Sequence, residues 1–388
     1  MRHSRPGSPR QPTPSACREQ VQTASRVQRR DFISLLGGLA LLPGCAGFGA
    51  GGGDDDAACF DVRTGKRLGR RRMRQRLAPS PILLLGEVHD NAAHHRIRAS
   101  LLADWVRERP SRPAVVIFEQ LDREYNEALR LAQREQKAPQ RRDGTHDGIP
   151  RRAGGGPDAQ VIERLDAARF DRRSWGWPAH LPLFQAAQAS GAAWIAANFS
   201  RASAQRLSRD PESPVDPALQ AVVESARWSD ETQAALAQAL MQGHCTMLSG
   251  EAVAKIARVQ RLRDAALALP LLDANERRSV LIAGNGHVRR DHGVPRYLGA
   301  YEYEALVVGF EEVAAPASRF APAADSLVDG VGAARAEELG RAYDLVCLTP
   351  AVRRDDPCEG LAASGAPSIA PSTAPGVSPA APMQTPSR

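Results

Sequence analysis

Four short apolar runs each stop on a glycine or a polar residue, and this repeat restricts the fold more than any other feature of the chain. Residues 81–85 run into Gly86-Glu87-Val88-His89-Asp90-Asn91, and 114–118 run into Glu119-Gln120. Residues 192–197 run into Asn198, and 279–283 into Gly284-Asn285-Gly286-His287. Unbroken Ile, Leu and Val over so few residues predicts strands buried on both faces. Between the runs the apolar spacing changes to helical: in 92–107, Ile97, Leu101, Leu102 and Trp105 fall on one stripe. Helices are also expected over 122–136 and 181–190. Residues 217–269 carry no strand signal and are expected to hold two or three helices, a helical subdomain. Residues 306–309 and 345–348 are further strand candidates. Strands alternating with helices predict an α/β fold, a mainly parallel sheet flanked by helices.

In such sheets ligands bind beyond the carboxyl ends of the strands. One edge should therefore collect Glu87, His89, Glu119, Asn198 and His287. A single histidine at a strand end usually just bonds to a turn; several polar strand ends on one edge mark a site. Gly86, Gly284 and Gly286 allow tight turns and close backbone approach there. His95 falls on the inward side of its helix and His94 on the solvent side. His180, His244 and the tryptophans Trp175 and Trp177 are open between site and packing roles.

The chain's ends differ from its middle. Paired arginines Arg29-Arg30 precede the apolar run 32–42, which is too short to span a bilayer. The pair resembles a twin-arginine export signal, and Leu42-Pro43-Gly44-Cys45 resembles a lipobox whose cysteine becomes acylated, although Pro43 departs from the usual residue there. Residues 1–44 are thus expected to be a lipoprotein signal peptide, Cys45 the lipid-bearing residue and 45–58 a flexible tether. The folded domain is expected over 59–359, with 137–156 a mobile insertion and 360–388 a disordered tail rich in Pro, Ala and Ser. The formal charge of +7 draws heavily on arginines before Cys45. The run of arginines over 70–76 reads as an arm just beyond the anchor, suited to an anionic membrane surface and not to nucleic acid. An exported chain with Cys59, Cys245, Cys347 and Cys358 is expected to form at least one disulfide, with Cys358 the favoured member, but the pairing stays open. No C-x-x-C spacing suggests structural zinc.

The motif Gly86-Glu87-Val88-His89-Asp90-Asn91, followed by His94-His95, resembles the first signature of the ChaN-like haem-binding lipoproteins, within the Tiki and erythromycin-esterase-like superfamily. Gly284-Asn285-Gly286-His287 resembles their second G-x-x-H motif, and Phe118-Glu119-Gln120 the acidic strand end between the two. Residues 61–66 look like the family's opening hairpin, Gln260-Arg261-Leu262-Arg263-Asp264 like its Q-x-x-R-D helix, and Tyr343-Asp344 with Asp356-Pro357-Cys358 like its C-terminal close. The resemblance implies a membrane-anchored protein of haem and iron uptake. It would bind haem non-covalently and face the periplasm or surface from the outer membrane, with a homodimer and an uptake receptor as partners. The family's axial ligand is a tyrosine, for which Tyr297, Tyr301 and Tyr303 are the candidates, assisted by Glu87, His89, His95, Glu119, Asn198 and His287. The same superfamily implies an alternative, a metal-dependent hydrolase in which His89 and His287 hold a divalent ion and Glu87 or Glu119 activates water. The motifs serve both readings.

Overall fold

Each expected strand forms, and together with a short opening hairpin they make one sheet. The computed structural model describes residues 57–137, 156–210, 212–274, 277–314 and 325–355. The expected signal peptide, Cys45, most of the tether, nearly all of the insertion, Cys358 and the tail lie outside the described residues. The strands are β1 (Ala58–Asp61), β2 (Arg67–Leu68), β3 (Ile82–Leu85), β4 (Ala114–Asp122), β5 (Ala193–Asn198), β6 (Arg278–Ile282), β7 (Leu306–Val313) and β8 (Leu345–Pro350). Their order across the sheet is β2-β1-β8-β7-β3-β6-β4-β5. The six strands from β8 to β5 are mutually parallel, and the β1–β2 hairpin adds an antiparallel margin on β8.

The period-2 alternation of strands divides the apolar residues between two cores. Ile82, Leu84, Val115, Ile117, Leu281, Val307 and Val346 face one side, packed on the helices Pro217–Ser225 and Gly250–Leu272 through Leu219, Val222, Leu262 and Ala265. Leu83, Leu85, Val116, Phe118, Val280, Ile282, Val308 and Phe310 face the other side, against Leu101, Leu102, Trp105 and Phe184 from Ala92–Arg107 and Leu181–Ala189. With helices on both faces every central strand is buried, which is why the runs lack a polar alternation. Three helices fill the strandless stretch, the third being Asp230–Gly243.

Some boundaries differ from expectation. β4 continues to Asp122 past a register shift after Phe118, so Glu119 and Gln120 lie inside the strand and are buried rather than in a loop. The run 70–76 is no arm: Arg70–Leu77 is a helix that buries Met73 and Leu77. It rests on Ala92–Arg107 through Arg70–Asp104 and Arg74–Glu108 ion pairs, and those partners are what a count of arginines could not reveal. The helices Pro157–Ala167 and Arg201–Arg209 were not expected. A disulfide joins Cys59 and Cys347, register partners on β1 and β8.

Candidate functional site

β3 lies between β6 and β7, so the two G-x-x-H loops leave the sheet side by side. Asn285 N–H donates to the Glu87 carbonyl at 2.9 Å, and the Asn285 side chain grips the Phe310 backbone on β7 from both ends. This closeness needs glycine at two positions. A Cβ on Gly86 would lie 2.3 Å from Asn285 Oδ1, and one on Gly284 would lie 2.8 Å from His89 Cε1.

Glu87 organises a buried pit. Its Oε1 lies 2.8 Å from His89 Nδ1 and accepts from Gln120 Nε2 at 2.9 Å. Its Oε2 meets the Arg98 guanidinium and lies 3.0 Å from His95 Nδ1. The helix Ala92–Arg107 sends His95 and Arg98 inward together, being three residues apart on one face. Arg98 donates to His95 Nδ1 at 2.9 Å while His95 Nε2 bonds to the His89 carbonyl at 3.0 Å. His95 is therefore neutral, its pKa pushed down to about 4 chiefly by burial. His180 precedes the helix Leu181–Ala189, its ring 3.7 Å from that of His95 and its Nε2 3.6 Å from Glu87 Oε1. Burial drives its pKa down to about 2, helped by the charge of neighbouring groups.

A second cluster sits one strand over. Glu119 accepts from Gly284 N–H at 2.6 Å and lies 3.2 Å from His287 Nε2. His287 Nδ1 bonds to Asp264 at 2.5 Å. Burial opposes charge on His287, but Glu119 and Asp264 outweigh it and push the pKa up to about 10. Burial likewise opposes charge on Glu119, yet His287, His89 and the Gly284 N–H hold it well below the usual carboxylate range. Both ring nitrogens of His287 are thus engaged by carboxylates, which favours its protonated form.

His89 stands between the clusters and is the member that faces outward, its side chain 52% exposed. Glu87 holds Nδ1, Gly284 flanks Nε2, and Trp175 meets the ring edge-on at 5.0 Å. The loop that carries His89 is pinned from behind. Asn91 caps the helix by accepting from Ala93 N–H at 3.0 Å and donates to Glu312 at 2.6 Å. Arg354 bonds to both Asp90 and Glu312. His94 was expected on the solvent side, but it is fully buried. It accepts from Val88 N–H at 2.9 Å and bonds to Thr349 at 2.7 Å, because the parallel β8 edge covers that side of the helix.

The structure brings together Glu87, His89, His95, Glu119 and His287. Asn198, at the end of β5 beside β4, turns its Oδ1 back to its own chain, accepting from Phe199 N–H at 2.8 Å. The tyrosines do not join the site. Tyr297 is fully buried with its hydroxyl donating to the Arg261 carbonyl at 3.1 Å, so its oxygen faces protein. Tyr301 and Tyr303 are exposed just ahead of β7, at the opposite, amino edge of the sheet. A cavity of about 290 Å³ lined by Tyr303, Arg290 and Leu298 lies at that edge too, away from the histidines. His244 bonds to the Leu240 carbonyl at 2.8 Å and closes its own helix. Trp177 packs on Phe170 in the core, whereas Trp175 walls the site. Sequence reasoning missed Arg98 and left His180 undecided. An arginine one turn beyond inward-facing His94 and His95, on an otherwise apolar stripe, was a signal for a buried anion. Asp264 belongs to the quoted Q-x-x-R-D run, and only the fold shows that it holds His287.

A family model described as haem-binding uptake, Tiki superfamily, ChaN, matches residues 73–298. The chain is similar in structure to ChaN of Campylobacter jejuni, solved in a study of cofacial heme binding. The TM-score is 0.55 at 16% identity, covering 77% of this chain and 98% of that one. An erythromycin esterase mutant in its open conformation gives 0.37 at 13% identity, covering 78% of this chain and 99% of that one. No curated protein matches the sequence.

Proposed function

The chain belongs to the ChaN family of haem-binding uptake proteins in the Tiki superfamily, and from that membership we propose that it binds haem non-covalently at the carboxyl edge of its sheet, with His89 as the axial ligand, in haem and iron uptake. One observation carries the choice of ligand. His89 is the histidine of the site that is half exposed, and its Nδ1 is fixed by the buried Glu87 carboxylate. A ring that donates one N–H to a carboxylate presents its other nitrogen to a metal as a better donor. The residues present fit the group where it would be ligated: Trp175 supplies an apolar wall beside a half-exposed imidazole. The tyrosines expected from the resemblance are replaced in this reading because their oxygens face protein or the wrong edge.

The envelope setting belongs to the same proposal. Acylated Cys45 holds the domain on the membrane, with the outer membrane favoured because Ala46 follows it. An uptake receptor exchanges haem with the open edge. The cofacial binding named for the Campylobacter protein suggests that two protomers of this chain bring their haems face to face.

The alternative, a hydrolase with a divalent ion on His89 and His287, has less support. Both ring nitrogens of His287 are already engaged, Nδ1 by Asp264 and Nε2 by Glu119, so an ion there would have to displace one of these carboxylates. Adding haemin to the purified protein tests the proposal. A Soret band that shifts and saturates with haemin supports it. No shift, with a stoichiometric divalent metal found instead, would replace it with the hydrolase reading.

A further inference from the structure

The pit behind His89 holds donors of the kind that bind a transition metal. Glu87, His95 and His180 are all buried, and each offers an atom within 4.8 Å of the others. Two imidazoles and a carboxylate suit Zn(II) or Co(II). Yet two of the three donor atoms are occupied. The Arg98 guanidinium meets Glu87 Oε2 and donates to His95 Nδ1 at 2.9 Å. His95 cannot turn its other nitrogen inward, because Nε2 bonds to the His89 carbonyl at 3.0 Å. The third donor is held loosely: His180 Nε2 stands 3.6 Å from Glu87 Oε1, and neither nitrogen of the fully buried ring makes a hydrogen bond of good geometry.

Charge explains the arrangement. One carboxylate, one guanidinium and two neutral imidazoles sum to zero in a space closed to water. A divalent ion added beside Arg98 would leave two uncompensated charges, which a buried site does not tolerate. Without the guanidinium the same donors carry one negative charge and would accept the ion.

We propose that Arg98 is a resident cation standing where the fold could otherwise hold a divalent metal. It closes the Glu87–His95–His180 centre to metal ions and keeps Glu87 free to orient His89. An arginine guanidinium keeps its charge even in a protein interior, so Arg98 is a permanent occupant of that place. The inference does not rest on haem binding. In an iron-uptake setting it means that Zn(II) and similar ions do not load the pit.

The test is Co(II) titration of the full-length protein without haem, followed by metal analysis and by the visible d–d bands of Co(II). The wild type is expected to bind no stoichiometric Co(II). Arg98→Ala is expected to bind one Co(II) per chain, at least about 100-fold more tightly than the wild type, since two donors are released at once. Arg98→Ala combined with His180→Ala should lose that binding. Arg98→Lys keeps a cation and should stay closed. Wild-type protein that binds Co(II) through His180 overturns the proposal. So does Arg98→Ala protein with a native circular dichroism spectrum and no Co(II) binding. If Arg98→Ala fails to fold, Arg98→Met keeps the packing volume and takes its place, and the wild-type result stands alone in either case.

Discussion

Glu87 Oε1 lies 2.8 Å from His89 Nδ1, and this pairing decides which nitrogen of the exposed ring is left for a ligand. Glu87 is itself held by Gln120 and Arg98, so the ring's orientation is fixed from inside the fold. Glu87→Gln keeps the shape but removes the charge. It should weaken haemin binding by about 10–100-fold, the usual effect of losing a ligand's carboxylate partner. It should also destabilise the fold by about 3–5 kcal/mol, because Arg98 is left as an unpaired buried charge. Haemin titration and urea unfolding measure the two effects separately; unchanged stability would mean that the Arg98–Glu87 pair does not form.

Gly284→Ala probes the contact between the two G-x-x-H loops. The new Cβ would lie 2.8 Å from His89 Cε1 and 3.0 Å from Nε2. The ring must move while the strands stay in place. Haemin affinity should fall by about tenfold, on the scale of an ångström-sized misplacement at a site, with little change in melting temperature. Unaltered affinity would show that His89 does not sit against Gly284 when the protein is loaded.

Stability should peak near neutral pH, with histidines shaping both limbs. His94 and His95 are lowered from 6.5 to about 4 and His180 to about 2, chiefly by burial. The unfolded chain takes up protons on these residues before the folded one does, so stability is lost as pH falls below about 6.5. His287 is raised from 6.5 to about 10 by its carboxylates. Its contribution is fully present below pH 6.5 and is lost as pH rises through about 10. Melting temperatures from pH 4 to 10 check this. His287→Gln should flatten the alkaline limb and leave the acid limb in place.

The disulfide predicts that Cys59 and Cys347 are absent from a free-thiol count of the unreduced, denatured protein. It spans 288 residues of sequence, so opening it should lower stability by about 2–4 kcal/mol. Replacing both cysteines by alanine and measuring urea unfolding gives the value. A free-thiol count that includes both cysteines contradicts the pairing.

The sequence made the sheet legible because its strands are buried on both faces and read as unbroken apolar runs. The carboxyl edge followed from the polar residues at the ends of those runs, and Glu87, His89, Glu119 and His287 do converge there. What stayed hidden depends on contacts between distant elements. His180 and Arg98 meet at Glu87 only because Leu181–Ala189 packs beside Ala92–Arg107 on one face of the sheet. The tyrosines were sought near the second motif in sequence, but between His287 and β7 the chain crosses from one edge of the sheet to the other. Tyr301 and Tyr303 therefore end up at the amino edge, while Tyr297, nearer the motif, commits its hydroxyl to the Arg261 carbonyl. His94 was misjudged because helical spacing alone cannot show that β8 covers that side.

The most direct test of His89 as ligand is a side-by-side haemin titration of the wild type, His89→Ala, and a Tyr297→Phe/Tyr301→Phe/Tyr303→Phe variant, read in the Soret region with electron paramagnetic resonance of the ferric state. The wild type and the tyrosine variant should give the same saturable Soret shift and a nitrogen-ligated ferric signal, and His89→Ala should lose both while keeping its fold. Retention of the wild-type spectrum by His89→Ala, with its loss in the tyrosine variant, would contradict the assignment.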